Sequence, residues 1–309
     1  MEKAPRKLIF STFTFPSTTI IPRKNHDFSF PNPIINYVTD NIESPLIHEK
    51  LISSSKYFFF VNPYIRGSIY YSYFEDKSFT ETEVGHQCKK GCYFRQEFQN
   101  IDSSIKFWII DSIYIMNQVA ASSLSLLIPK IYRCDITNLV LTAVNLTFEE
   151  FLFISPTVKN VHFSNVTVTY KNDEIVLLED IFDNFPQLTA CSFSISHAAP
   201  NISKNTAKRI LESPNFSNIT DICIEKTPEI FDIKTFVNSV NDRELPRFWI
   251  NIDRVTSENY ESQLEACINQ LINSKYNNRM IQYFEEDDEN YIILLNRYDD
   301  QYLRILTIG

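Results

Sequence analysis

The sequence predicts an α/β fold built by stacking irregular units, each a short parallel strand followed by a helix. Three observations predict it. An apolar spacing recurs along the chain, helix signals fall between its copies, and the copies are 22 to 31 residues apart. A unit of that size with a single apolar face is not stable alone and buries that face against its neighbours.

Taken in order, residues 1–27 carry no periodicity and are expected to form an N-terminal arm. Residues 28–63 differ. Phe28, Phe30, Pro31 and Pro33 read as a helix start, with proline in the first turn. Ile34, Ile35, Val38 and Ile42 follow near helical spacing. Ser44-Pro45 ends that helix and starts a second, with Ser44 the expected N-cap and Leu46, Ile47, Leu51 and Ile52 its apolar face.

This segment resembles a divergent F-box, most similar to those opening many nematode proteins with irregular leucine-rich repeats. Phe30-Pro31 matches the family's opening Leu-Pro, Ile34-Ile35 and Val38 its first apolar helix, and Leu51 and Ile52 its later one. Pro33 stands where the family has an acidic or polar residue, and phenylalanine replaces its tryptophan. The resemblance implies that Phe30, Pro31, Ile34, Ile35, Val38, Leu51 and Ile52 dock on the Skp-family adaptor of a cullin ubiquitin ligase. Read without it, the same helices are a cap over the exposed end of a stack.

Residues 64–104 form an irregular, aromatic-rich connection containing Tyr64, Tyr70, Tyr71, Tyr73, Phe74 and Phe79, with β structure expected. His86, Cys88 and Cys92 follow, spaced as for a metal site. No second Cys/His pair supplies the remaining ligands that zinc needs, so a cysteine-bearing turn at Gly91 is the reading and no metal is expected.

The repeating units run from residue 105 to 309. The clearest copy is Ile136, Leu139, Leu141, Val144 and Leu146, at offsets 0, 3, 5, 8 and 10, and Val158, Val161, Phe163, Val166 and Val168 repeat it. A pair such as Leu139 and Leu141 lies on one face of a strand. Four further copies keep the first three offsets, beginning at Ile105, Leu188, Ile219 and Leu245. These stretches resemble irregular leucine-rich repeats, which implies a solenoid with helices on its convex side and a binding surface on its sheet.

Between copies, Thr147 and Glu150 form a capping box. Residues 173–182 carry a helical stripe at Ile175, Leu178, Ile181 and Phe182. Ser203–Leu211, Ile233–Val240 and Ser257–Asn273 are further helices, the last presenting Leu264, Cys267, Ile268 and Leu271. At the end, residues 290–295 and 302–308 read as two strands of a hairpin closing the sheet.

Composition narrows the function. Four glycines in 309 residues, with no glycine-rich phosphate loop among them, argue against nucleotide binding. A net charge of -9 argues against nucleic acid and anionic membranes as partners. No apolar run reaches the length of a membrane span and no secretory leader is recognisable, so the cytoplasm or nucleus is expected. The six cysteines are then free thiols, and the five N-glycosylation sequons chance occurrences. The five histidines fall in no hydrolase or metalloprotease motif, so neither catalysis nor a cofactor is expected.

What remains is a binding face. The strand positions alternating with the core are Asn138, Val140 and Thr142; Asn160, His162 and Ser164; Ala190, Ser192 and Ser194; and Asp221, Cys223 and Glu225. Small and mostly uncharged, they suit hydrogen bonding to a protein partner. The expectation is a non-enzymatic subunit that recruits an unknown protein substrate to a ubiquitin ligase. A repeat-type scaffold without that role is the alternative.

Overall fold

The computed structural model describes residues 31–42, 44–54, 58, 64–71, 93–94, 106–116, 124–196, 201–241, 243–253, 257–283 and 289–298. Two helices open it, α1 (Asn32–Asp40) and α2 (Pro45–Ser54). Pro31 is the N-cap of α1 and Pro33 sits in its first turn, where a missing N–H costs nothing. The Asn41 side-chain amide donates to the Tyr37 carbonyl at 2.7 Å, satisfying one carbonyl of the last turn.

The strands follow: β1 (Tyr64–Tyr71), β2 (Tyr93–Phe94), β3 (Lys106–Ile115), β4 (Ile131–Thr142), β5 (Asn145–Thr147), β6 (Asn160–Ser164), β7 (Thr167–Thr169), β8 (Ala190–Ser194), β9 (Asp221–Thr227), β10 (Arg247–Ile252) and β11 (Arg279–Gln282). Nine of them form one sheet in the order β11-β10-β9-β8-β6-β4-β3-β1-β2, and β5 pairs with β7 separately. Among the described residues every pairing between these strands is parallel. Parallel neighbours require crossovers, and helices supply most of them after β5. These are α3 (Phe148–Ile154), α4 (Leu178–Asp183), α5 (Thr206–Glu212), α6 (Ile233–Val240) and α7 (Glu258–Ile272), with α8 (Glu289–Arg297) after the last strand.

The α/β class with a parallel sheet is as the sequence predicts, and the register shows why. Leu139, Val161, Cys191, Ile222 and Phe248 lie opposite one another across five strands, as do Leu141, Phe163, Phe193, Ile224 and Ile250. Both rows are buried under the helices. Phe151 of α3 meets Phe185 edge-on at 5.1 Å, and Phe185 meets Phe163 of β6. Farther along, Phe236 of α6 meets Phe248 of β10 at 5.4 Å.

Hydrogen bonds at the unit junctions hold the register. The Thr189 N–H donates to the Lys159 carbonyl, and the Thr220 N–H to the Thr189 carbonyl, both at 2.8 Å. The hydroxyls of Thr189 and Thr220 reach the same two carbonyls at 3.0 Å.

Thr147 and Glu150 form the expected capping box of α3, α6 spans the predicted residues, and α7 carries its four expected apolar side chains in the core. Asp232 and Ser257 cap α6 and α7 through their side chains. Helix ends are also tied across units. Asn215 donates to the Phe182 and Asp183 carbonyls at the end of α4, and Arg279 donates to the Asn241 and Arg243 carbonyls just past α6.

Five expectations are corrected. The first copy is out of phase: Ile113 and Ile115, not Trp108 and Ile110, lie opposite Leu139 and Leu141, and Trp108 lies opposite Arg133. Leu245 is 46% exposed and Pro246 is buried instead. Pro246 has no N–H to continue the junction ladder, so Arg247 donates to Thr220 in its place. The stripe at 173–182 is helical only from Leu178, and Ile175 forms an isolated antiparallel bridge with Thr169. Residues 289–297 form helix α8 rather than a strand, with Leu294 and Tyr298 buried one turn apart, while 302–308 lie outside the described residues. Finally, Tyr64–Tyr71 joins the main sheet beside β3, so the sheet begins before residue 105.

Among the described residues, no helix is long and apolar enough to cross a membrane.

Candidate interaction face

The face of the sheet turned away from the helices carries the positions expected to meet a partner. Asn138, Val140, Thr142, His162, Ser164 and Ala190 are half-buried and Asn160 is exposed. Ser192 and Asp221 are buried, so their groups are taken up inside the protein rather than offered to a partner. The face is therefore open over β4 and β6 and closes toward β9.

Asn160 donates from Nδ2 to Asn138 Oδ1 at 2.9 Å, and Asn138 Nδ2 donates to the Thr137 hydroxyl at 3.0 Å. The in-register pair on the next strands is His162 and Ser192, with Nδ1 and Oγ 3.0 Å apart. Burial pushes the His162 imidazole below its ordinary pKa, against a weaker upward pull from Glu225. Its neutral form is thus the stable one in the folded protein at neutral pH.

Cys223 follows Ser192 in the same row. Burial first and Glu225 second push its thiol up to about 12, which the Ser192 hydroxyl only partly opposes. Such a thiol is a small apolar filler and a poor nucleophile. Cys191, on the opposite face, is likewise pushed well up by full burial.

Asp221 is held by its own chain. Arg247 Nη2 lies 2.8 Å from Oδ1 and 2.9 Å from Oδ2, and the Thr220 hydroxyl donates at 2.7 Å. Beside this pair, Tyr298 meets the Trp249 ring edge-on at 5.6 Å. Burial pushes the Tyr298 hydroxyl above its ordinary pKa, with smaller upward contributions from Cys223 and Asp221. At the other end Trp108 is buried, its indole N–H donating to Asp135 at 2.8 Å under the Arg133 guanidinium.

Sequence reasoning missed these boundaries. Arg247 and Trp249 were legible, because the outward offsets of the last copy predict them. Tyr298 was not, because it comes from the non-repeating end.

The second candidate surface lies on the N-terminal helices. Ile34 is 49% and Val38 37% exposed, one turn apart, whereas Ile35 is 3% exposed. Tyr37 on α1 and Leu46 and Ile47 on α2 are also exposed. Pro31 is exposed and Leu51 half-buried. Phe30 and the side chain of Ile52 lie outside the described residues. So do His26, His86, Cys88, Cys92, His197 and the side chain of His48.

Among the described residues, no three His, Cys, Asp or Glu side chains come together as a metal site would require. No family model matches this chain, no curated protein matches it, and no solved structure matches it.

Proposed function

We propose that this chain is a non-enzymatic interaction subunit that recruits a protein substrate to a cullin ubiquitin ligase in the cytoplasm or nucleus. On this reading α1 and α2 are a divergent F-box that docks on a Skp-family adaptor. The sheet and its helices are an irregular leucine-rich-repeat-like solenoid that holds the substrate. Strands in chain order from β3 to β11, tied by hydrogen bonds between successive units, support the solenoid.

The exposed pair Ile34 and Val38 carries the adaptor reading. Large apolar side chains exposed singly are ordinary, but here five lie on two short helices: Ile34, Tyr37, Val38, Leu46 and Ile47. Five such side chains on two short helices support a docking site there.

The test is a pull-down of the full chain with a Skp-family adaptor, beside an Ile34→Asp/Val38→Asp variant. Ile35 is left alone because its burial makes a charge there unfold the helix pair. Capture by the parent chain and loss in a variant with unchanged circular dichroism is the expected result. No capture by the parent chain removes the ligase reading and leaves a repeat-type protein-binding scaffold with a helical cap.

A further inference from the structure

Resting on the reading that the outward sheet face holds the substrate, we infer that this face takes a lysine or arginine side chain from an extended protein segment, its cation paired with Glu225.

The inference starts from two carboxylates on β9. Asp221 and Glu225 are four residues apart on one strand. Asp221 is buried and matched internally by Arg247 and Thr220. Glu225 is half-buried, yet among the described residues no hydrogen bond or ion pair engages its carboxylate. Its row neighbours, Thr142, Ser164 and Ser194, are uncharged. A half-buried carboxylate without a partner lacks what Arg247 gives Asp221, and a cation from a bound chain supplies it.

The surroundings select the kind of cation. Nδ1 of His162 is occupied by Ser192, and burial keeps the ring from charging, so His162 does not compete for Glu225 at neutral pH. A metal ion lacks donors, since no three ligating side chains converge among the described residues. Nucleic acid and anionic lipid meet a carboxylate on a chain of net charge -9. A basic side chain of a protein is the cation that fits.

The open strip favours an extended segment. Neighbouring strands lie roughly 4.8 Å apart, so β4 and β6, where the face is open, give about the width of one extended chain, with half-buried Glu225 beyond them. Asn138 and Asn160 cross-link at 2.9 Å and keep amide groups spare for the peptide groups of such a chain.

The test is selection from a nine-residue random peptide library on the full chain and on folded Glu225→Gln and Glu225→Lys variants. The parent chain is expected to enrich Lys or Arg at one position. Glu225→Gln is expected to erase that preference and weaken the best peptide by ~10-fold, and Glu225→Lys to turn it toward Asp or Glu. No binders, binders without a basic preference, or a preference that survives Glu225→Gln overturns the inference. Adaptor capture reports on Ile34 and Val38 and is read separately. Basic selection without adaptor capture removes the ligase reading and leaves this inference standing.

Discussion

Arg297 donates from Nη1 to the carbonyl oxygen of Ile272 at 2.6 Å, placing a cation on the last turn of α7. The same guanidinium reaches the carbonyls of Leu271, Ser274 and Tyr276 and the Asn277 side chain. A helix ends with carbonyls that have no partner within it, and its C-terminus carries partial negative charge, so a guanidinium there acts as both donor and counter-charge. Replacing Arg297 by Ala is expected to cost about 2–3 kcal/mol in urea unfolding, and Arg297→Lys to recover only part, because an ammonium lacks the planar fork. A cost under ~0.5 kcal/mol is inconsistent with this role.

The junction threonines give a second prediction. Thr189→Val keeps the β-branched shape and removes the hydroxyl bonded to Lys159. The expected loss is about 1 kcal/mol, and about 1.5–3 kcal/mol for Thr220→Val, whose hydroxyl also donates to the buried Asp221 carboxylate. Chemical denaturation of the two single variants and the double variant measures both. Unchanged midpoints argue that water replaces these bonds at no cost.

His162 makes stability depend on pH. Burial lowers its folded pKa below the ordinary value of 6.5, so the unfolded chain takes up the proton more readily. Its neutral-form contribution is fully present above 6.5, falls as pH drops toward the folded value, and levels off below it. His162→Gln is expected to flatten this part of the profile. An unchanged slope in the variant, read from urea midpoints between pH 7.5 and 5.5, assigns the dependence to other groups.

Ala143 lies at the turn after β4 with φ 55°, in the left-handed region that Cβ disfavours. Asn165 occupies the matching place one unit later with φ 53°, and asparagine tolerates it. Ala143→Gly is expected to raise stability by about 0.5–1 kcal/mol, because relief of the clash exceeds the entropy glycine adds to the unfolded chain. A lower unfolding midpoint in the variant contradicts that balance.

The thiols give a chemical check. With Cys223 pushed up to about 12, roughly one molecule in ten thousand carries its thiolate at pH 8. Iodoacetamide followed by peptide mass spectrometry is expected to leave Cys191 and Cys223 unmodified in the native protein and to modify both in urea. Native labelling of Cys223 means that the sheet opens there.

The strand rows were legible because Leu139, Val161, Cys191, Ile222 and Phe248 repeat one offset, and that offset is a strand's burial pattern. It failed at Phe107–Ile109, where three successive buried residues give no alternation to set the phase. It also failed over Tyr291–Leu295, since a short apolar run suits strand or helix, and the deciding contact is the burial of Leu294 and Tyr298 one turn apart. Arg279 breaks the rule in the other direction. It lies opposite Phe248, where the pattern calls for an apolar residue, and is buried because the carbonyls just past α6 accept its protons. On the outward face of the sheet, residue types were legible but accessibility was not. Nothing in the local sequence of Ser192 or Asp221 tells that both are buried, or that a tyrosine from the far end packs on Trp249 in the strand beyond.

The tie between Arg297 and the end of α7 bears on how the chain matures during synthesis. While Arg297 is still inside the ribosome, the carbonyls of Leu271 and Ile272 lack its donors, and Trp249 lacks the ring of Tyr298. The last units are therefore the least settled part of the nascent protein. Emergence of α8 closes them, and a premature stop between α7 and α8 leaves those carbonyls without the donors of Arg297.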